Sequence, residues 1–174
     1  MPYGESVTDR YRTLLLLRHA KSDYPAGVAD HDRPLAPRGV REAALAGDWL
    51  RVHTPAVDAV LCSTATRTRE TLARTRIDAP VSYVDRLYDA TPAAVIEEIN
   101  GVDAAVETLL VIGHEPAMSS VALGLATPDG SNATAADHIS TKFPTSAIAV
   151  LRTANPWDRL TQSSAALVTF HVPR

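Results

Sequence analysis

Three apolar runs in this chain end in residues that could do chemistry. Leu14-Leu15-Leu16-Leu17 stops at Arg18-His19-Ala20-Lys21-Ser22; the run 57–62 gives way to Ser63-Thr64, with Arg67 close behind; and the run 108–112 leads into Gly113-His114-Glu115-Pro116. Arginine offers a permanently charged planar fork of donors, and a neutral histidine offers a nucleophilic nitrogen. Taken singly, each group reads most simply as an ordinary side chain: a surface Arg-His pair, a solvated helix arginine, a histidine capping the next helix. Two arginines and two histidines converging on one crevice read differently. They suit a tetrahedral dianion, because arginine binds phosphate bidentately and helix N-termini add backbone donors. Phosphate is therefore the first ligand implied. The paired histidines add phosphoryl transfer to an enzyme side chain, which splits one hard displacement into two easier ones.

That convergence requires the three runs to be neighbouring strands. Four consecutive leucines fit a buried strand or a core helix, and the shortness of the run with polar residues on both sides favours the strand. Residues 23–34 are polar, with Pro25, Gly27 and Pro34 as breakers, and read as a loop. From Pro37, the residues Val40, Ala43, Ala44, Gly47 and Leu50 recur at helical spacing, with Arg38, Arg41, Glu42, Asp48 and Arg51 mostly on the other side, until His53-Thr54-Pro55 stops the helix. Ser63 or Thr64 is placed to cap a helix over about 65–76, on which Arg67 and Arg69 lie two apart and face different ways. A short strand over 80–84 precedes a helix with Thr91 as cap, Pro92 in its first turn and Asn100-Gly101 at its close. Residues 118–125 look helical, and 127–137, a mixture of Gly, Ser, Asn, Thr and Ala, reads as a mobile loop. Strands over 147–152 and 165–172 are joined only by the short segment 155–164, so they are expected to pair antiparallel at one side.

Strands alternating with helices imply an α/β three-layer sandwich, a mostly parallel sheet with helices on both faces. In such sheets ligands collect beyond the carboxyl ends of the strands, where Arg18-His19, Ser63 to Arg67 and His114 would lie.

Composition bounds the rest. The 174 residues, 45% hydrophobic and 21% charged, are expected to form a single domain over 1–174, with residues 1–10 as a frayed N-terminus. A net charge of −3 and no basic run argue against nucleic acid as a partner. Only Lys21 and Lys142 among the 17 basic residues are lysines, a skew given no functional weight. Cys62 is the only cysteine, which excludes an intrachain disulfide and a cysteine metal cage and fits a reducing cytoplasm. No apolar stretch has signal-peptide or membrane-span length, so a cytoplasmic protein without a membrane partner is expected. No histidine pair has the H-x-x-x-H spacing of a zinc hydrolase, and His31, His53, His138 and His171 read as non-catalytic.

These motifs resemble the histidine phosphatase superfamily, which includes phosphoglycerate mutases and acid phosphatases. The likeness rests on Arg18-His19 after a leucine strand, on Ser63-Thr64-Ala65-Thr66-Arg67-Thr68-Arg69-Glu70-Thr71, and on Gly113-His114-Glu115-Pro116. Its small SixA-like branch is the nearer match. Arg18-His19-Ala20-Lys21-Ser22 resembles that branch's first motif, Asp32-Arg33-Pro34-Leu35 with Arg38-Gly39 its lead into the first helix, and 142–151 its late strand, so the likeness spans about 14–151. The resemblance implies a phosphoglycerate mutase-like fold with no metal or other cofactor. It implies His19 as the nucleophile that forms a phosphohistidine, with Arg18, Arg67 and His114 holding the non-bridging oxygens. For the proton donor, many members place an acid after the strand that here ends near Val84; Asp89 aligns best and Asp85 second. Lys21 and Arg33 are candidates for added charge at the mouth, and Arg69, Arg74 and Arg76 are assigned to solvent.

The substrate reading rests on what is missing. Larger relatives build a lid from long insertions, whereas here only about two dozen residues separate Val84 from Thr108, so an open pocket is expected that would admit a phosphorylated side chain of another protein. The reading is a metal-independent phosphatase acting through a phosphohistidine intermediate, most readily on protein phosphohistidine. The alternatives are a small-molecule phosphomonoesterase or mutase of the same superfamily, or a non-catalytic phosphate-binding module.

Overall fold

The structure, a computed structural model, describes residues 11–174. Its centre is a six-stranded sheet in the order β3-β2-β4-β1-β5-β6. The strands are β1 (Arg12–Arg18), β2 (Ala59–Ser63), β3 (Val81–Val84), β4 (Thr108–Gly113), β5 (Ile148–Thr153) and β6 (Ala166–His171). The first four run parallel, and β5 and β6 complete one side antiparallel, as their short connection requires. The expected frayed segment over 1–10 lies outside the described residues.

The leucine run is a strand, and the sheet's two faces show why. Leu14 and Leu16 point into one core with Leu109, Val111, Ala149 and Leu151, while Leu15 and Leu17 point into the other with Leu110, Ile112, Ile148 and Val150. A strand sends successive side chains to opposite faces, so an uninterrupted apolar run is what a strand covered on both sides demands. The first core is closed by α3 (Pro92–Asn100), α4 (Ala117–Leu125) and α5 (Ala133–Thr141), the second by α1 (Pro37–His53) and α2 (Thr66–Thr75). All four leucines are at most 1% exposed, and each contributes about 1.5–3 kcal/mol by burial. This is the three-layer sandwich expected, with β1 and β4 adjacent at its centre.

Three local readings are corrected. The segment read as a loop through residue 137 contains the first half of α5: Asn132 accepts the Ala135 N–H at 3.0 Å, and Ala135 and Ile139, four apart, are buried. Glu42, placed mostly on the solvent side of α1, is 4% exposed and held by Arg38 and Arg174. Neither Ser63 nor Thr64 caps α2, whose N-cap is Ala65 with no side-chain bond. Elsewhere the signals act as read: Thr91 accepts the Ala94 N–H at 3.1 Å, with Pro92 opening α3.

One glycine matters to the site. A Cβ on Gly39 would stand 2.1 Å from the Lys21 carbonyl oxygen, so its absence lets the first turn of α1 lie against the backbone just beyond His19. Among the described residues, no helix is long and apolar enough to cross a membrane.

Candidate active site

The backbone around His19 is tied to three other elements. Its N–H donates to the Gly113 carbonyl at the end of β4 (3.0 Å), its carbonyl accepts from the Ser146 N–H before β5 (3.1 Å), and the next residue, Ala20, donates to Thr71 Oγ1 on α2 (2.9 Å). The side chain is 7% exposed. Nδ1 lies 2.7 Å from the Ala20 carbonyl oxygen, which can only accept, so Nδ1 carries the proton and Nε2 keeps its lone pair. A neutral imidazole with a free Nε2 is a nucleophile.

Around it stand the groups from the other strand ends. The His114 ring, after β4, has its centroid 5.2 Å from that of His19, with Nε2 2.8 Å from Ser63 Oγ at the end of β2. Arg67, in the first turn of α2, is 6% exposed and turns inward, while Arg69 is exposed, with its guanidinium 4.8 Å from the Tyr83 ring. Arg18 donates from Nη1 to the Phe143 carbonyl at 2.9 Å. Among the described residues, the Nε atoms of Arg18 and Arg67, together with His114 Nδ1, are buried without a hydrogen-bond partner. Buried donors of this kind are costly unless a ligand satisfies them. Beside them is a cavity of about 110 Å³ whose lining includes the buried Arg67 and His114, the half-buried Tyr88 and Glu115, and the exposed Asp30 and Asp89.

Electrostatics keep both histidines neutral. Burial, reinforced by His114, Arg67 and Arg18, lowers the His19 pKa from 6.5 to about 3, against the pull of the Ala20 carbonyl. His114 falls to about 4, through burial first and Arg67 second. The arginine charges lower both values, but burial dominates.

Residues 14–91 match the profile described as Histidine phosphatase superfamily (branch 1). A SixA protein from Nakamurella multipartitia is 43% identical and superposes with a TM-score of 0.86 over 94% of this chain and 96% of its own. The chain belongs to the histidine phosphatase superfamily. The Mycobacterium tuberculosis protein Rv1276c is 65% identical over 158 residues, 91% of this chain and all of that one. A structure of the protein histidine phosphatase SixA complexed with tungstate is 20% identical, with a TM-score of 0.74 over 92% of this chain and 97% of its own, a likeness of fold.

Against this histidine phosphatase frame, the residues singled out from sequence divide. Arg18, His19, Arg67 and His114 come together at the carboxyl ends of β1, β2 and β4. Asp89 is exposed at the cavity mouth, in the left-handed region at φ 55°, whereas Asp85 lies in a 3-10 turn and does not line the cavity. Arg33 is held by its neighbours: Nε donates to Asp30 Oδ1 (3.0 Å), Nη1 donates to Ser22 Oγ (2.8 Å) and the Asp23 carbonyl (3.2 Å), and the guanidinium lies 4.0 Å from the Tyr24 ring centroid. Lys21 does not line the cavity; its ammonium sits 5.9 Å from the same ring.

Sequence reasoning missed Asp30 and Tyr88. Asp30 accepts from Arg67 twice, at its carbonyl (2.7 Å) and at Oδ2 (3.2 Å), and Oδ2 also takes the Tyr88 hydroxyl. Led by that Tyr88 bond, its pKa falls to about 2. The Tyr88 ring packs edge-on against His114 and His31, and His31 Nε2 lies 3.1 Å from Thr64 Oγ1. This clasp aims the Arg67 fork and joins the loop before α1 to the loop before α3. The only sequence signal for it was a turn-forming Asp in a loop, too common to single out. Among the described residues, no group of three or more His, Cys, Asp or Glu side chains could hold a metal ion.

The neutral histidines have a consequence for stability. Unfolded, His19 and His114 titrate near 6.5; folded, they protonate only near 3 and 4. Between those values the unfolded chain binds more protons, so their contribution is complete above pH 6.5 and is lost as pH falls toward 4 and 3. Thermal melts across a pH series should show the midpoint falling on acidification, with a shallower fall in His19→Gln. Equal slopes in the two proteins would show that His19 is not buried neutral.

Proposed function

We propose that this histidine phosphatase works through a phosphohistidine at His19, without a metal, and acts on protein phosphohistidine. The observation that carries the mechanism is the free Nε2 of a neutral, buried His19 beside Arg18, Arg67 and His114. In the first step His19 Nε2 forms a bond to phosphorus as the substrate's P–N bond breaks, and the departing imidazole nitrogen takes a proton from water at the open mouth. In the second, water oxygen bonds to phosphorus, the Nε2–P bond breaks, and orthophosphate leaves. Arg18, Arg67 and His114 balance charge on the three non-bridging oxygens, the part a metal ion plays in other phosphatases.

The substrate assignment rests on the mouth. Only the 3-10 turn Asp85–Leu87 and the nine-residue α3 occupy the segment between β3 and β4. Of the two aligned acids, Asp89 lines the cavity and is exposed, and Asp85 does not line it. An imidazole leaves more readily than an alkoxide and needs less help from an acid. Asp89→Asn should therefore slow hydrolysis of an alkyl phosphate ester at least tenfold more than hydrolysis of a phosphohistidine protein, on the order of general-acid contributions. A small phosphate ester whose kcat/KM far exceeds that of every phosphohistidine protein tried would instead make this a small-molecule phosphatase.

A further inference from the structure

Ser63 is the last residue of β2 and is fully buried. Its Oγ has two neighbours among the described residues: the Ala65 N–H at 3.3 Å and His114 Nε2 at 2.8 Å. A hydroxyl has one proton and two lone pairs. The Ala65 N–H can only donate, so it takes a lone pair. If His114 Nε2 also donated, the Ser63 proton would be buried without an acceptor, and His114 Nδ1 would be a buried lone pair without a donor. If Ser63 donates to Nε2, its own bonding is complete and the remaining ring proton sits on Nδ1. We infer that Ser63 is a positioning residue that fixes the tautomer of His114, so that Nδ1 carries the proton His114 offers to a phosphoryl oxygen.

The inference rests on the phosphatase reading above and gives the two histidines complementary faces. Both rings hold their proton on Nδ1, but they are anchored at opposite nitrogens. His19 is tied through Nδ1 to the Ala20 carbonyl and presents a lone pair at Nε2; His114 is tied through Nε2 to Ser63 and presents an N–H at Nδ1. With centroids 5.2 Å apart, one ring attacks phosphorus while the other donates to its oxygens. A lone pair on His114 Nδ1 would instead face phosphoryl oxygens that have no proton to give. The role differs from helix capping, because Ser63 reaches His114 across the β2–β4 pairing as well as the start of α2.

The test uses the full chain labelled with 15N-histidine, without substrate, and long-range nitrogen–proton correlation at neutral pH. His114 is assigned by the resonance missing in His114→Gln. The expected wild-type spectrum shows His114 protonated at Nδ1. Ser63→Ala should give a mixture or the Nε2–H form and lower kcat by roughly tenfold to a hundredfold, the scale for removing a partner that orients a reacting group, with little change in KM. Ser63→Thr, which retains the hydroxyl, should restore the Nδ1–H form and most of kcat. A wild-type ring protonated at Nε2 overturns the inference, as does Ser63→Ala melting lower with its tautomer unchanged. Should Ser63→Ala not fold, the wild-type and Ser63→Thr spectra decide by the same criterion. The phosphatase reading fails separately: an Nδ1–H ring that depends on Ser63, in a protein that hydrolyses no phosphoryl donor, would leave the tautomer in place and overturn the reaction.

Discussion

His19→Ala is expected to abolish phosphoenzyme formation and lower turnover by roughly 10⁴- to 10⁶-fold, the range seen when a covalent nucleophile is removed from otherwise intact machinery. The expectation follows from the ring's environment. Among the described side chains around the crevice, the arginines have no lone pair to give, the Tyr88 hydroxyl is bound to Asp30, and His114 has one ring nitrogen engaged by Ser63. Rapid quench of the wild type during turnover should give an intact mass with one added phosphoryl group, labile to acid and stable to base. His19→Ala should show none while still binding orthophosphate or tungstate through Arg18 and Arg67. Because, among the described residues, the His19 side chain bonds only to the neighbouring Ala20 carbonyl, and its backbone ties do not depend on the ring, the variant should fold. An adduct that persists in His19→Ala would place the nucleophile elsewhere.

Arg67→Lys is expected to cost about 2.7–4 kcal/mol of transition-state stabilisation, about a hundredfold to a thousandfold in kcat/KM, as when one oxyanion donor is lost. Lysine keeps the charge but not the fork. In the structure Nη1 and Nη2 of Arg67 are set by Asp30 while the buried Nε has no partner among the described residues, a division of labour that a single ammonium cannot reproduce. The substitution also removes one partner from the Asp30 carboxylate, loosening the clasp to Tyr88. Arg69→Lys is the matched control: exposed and set against Tyr83, it should change kcat/KM little. Equal losses at the two positions would mean that the wrong arginine has been placed at the phosphoryl group.

The two arginines also show where sequence suffices. Helical periodicity is a property of a few consecutive residues, so residues two apart on α2 had to diverge, and the structure buries Arg67 while exposing Arg69. The same local logic made Leu14 to Leu17 a strand, put Arg18-His19 at its end and started α3 at Thr91-Pro92. The groups brought together in the crevice were legible for that reason: each follows an apolar run whose direction into the sheet is encoded beside it.

What the sequence left open are partnerships between segments far apart in the chain. Tyr88 reaches Asp30 across 58 positions, and Arg174 reaches Glu42 across 132. Nothing local marks either acid, because an Asp in a loop and a Glu on a helix are solvated by default and change character only when the fold delivers a donor. Arg33 is the converse: a cation that sequence made a candidate for charge at the mouth is bonded to Asp30, Ser22 and Asp23. The sequence by itself determined which side chains stand at the strand ends. Only the tertiary structure decided which of their hydrogen-bonding atoms remain free, because a buried polar atom bonds to whatever the packed chain brings within about 3 Å.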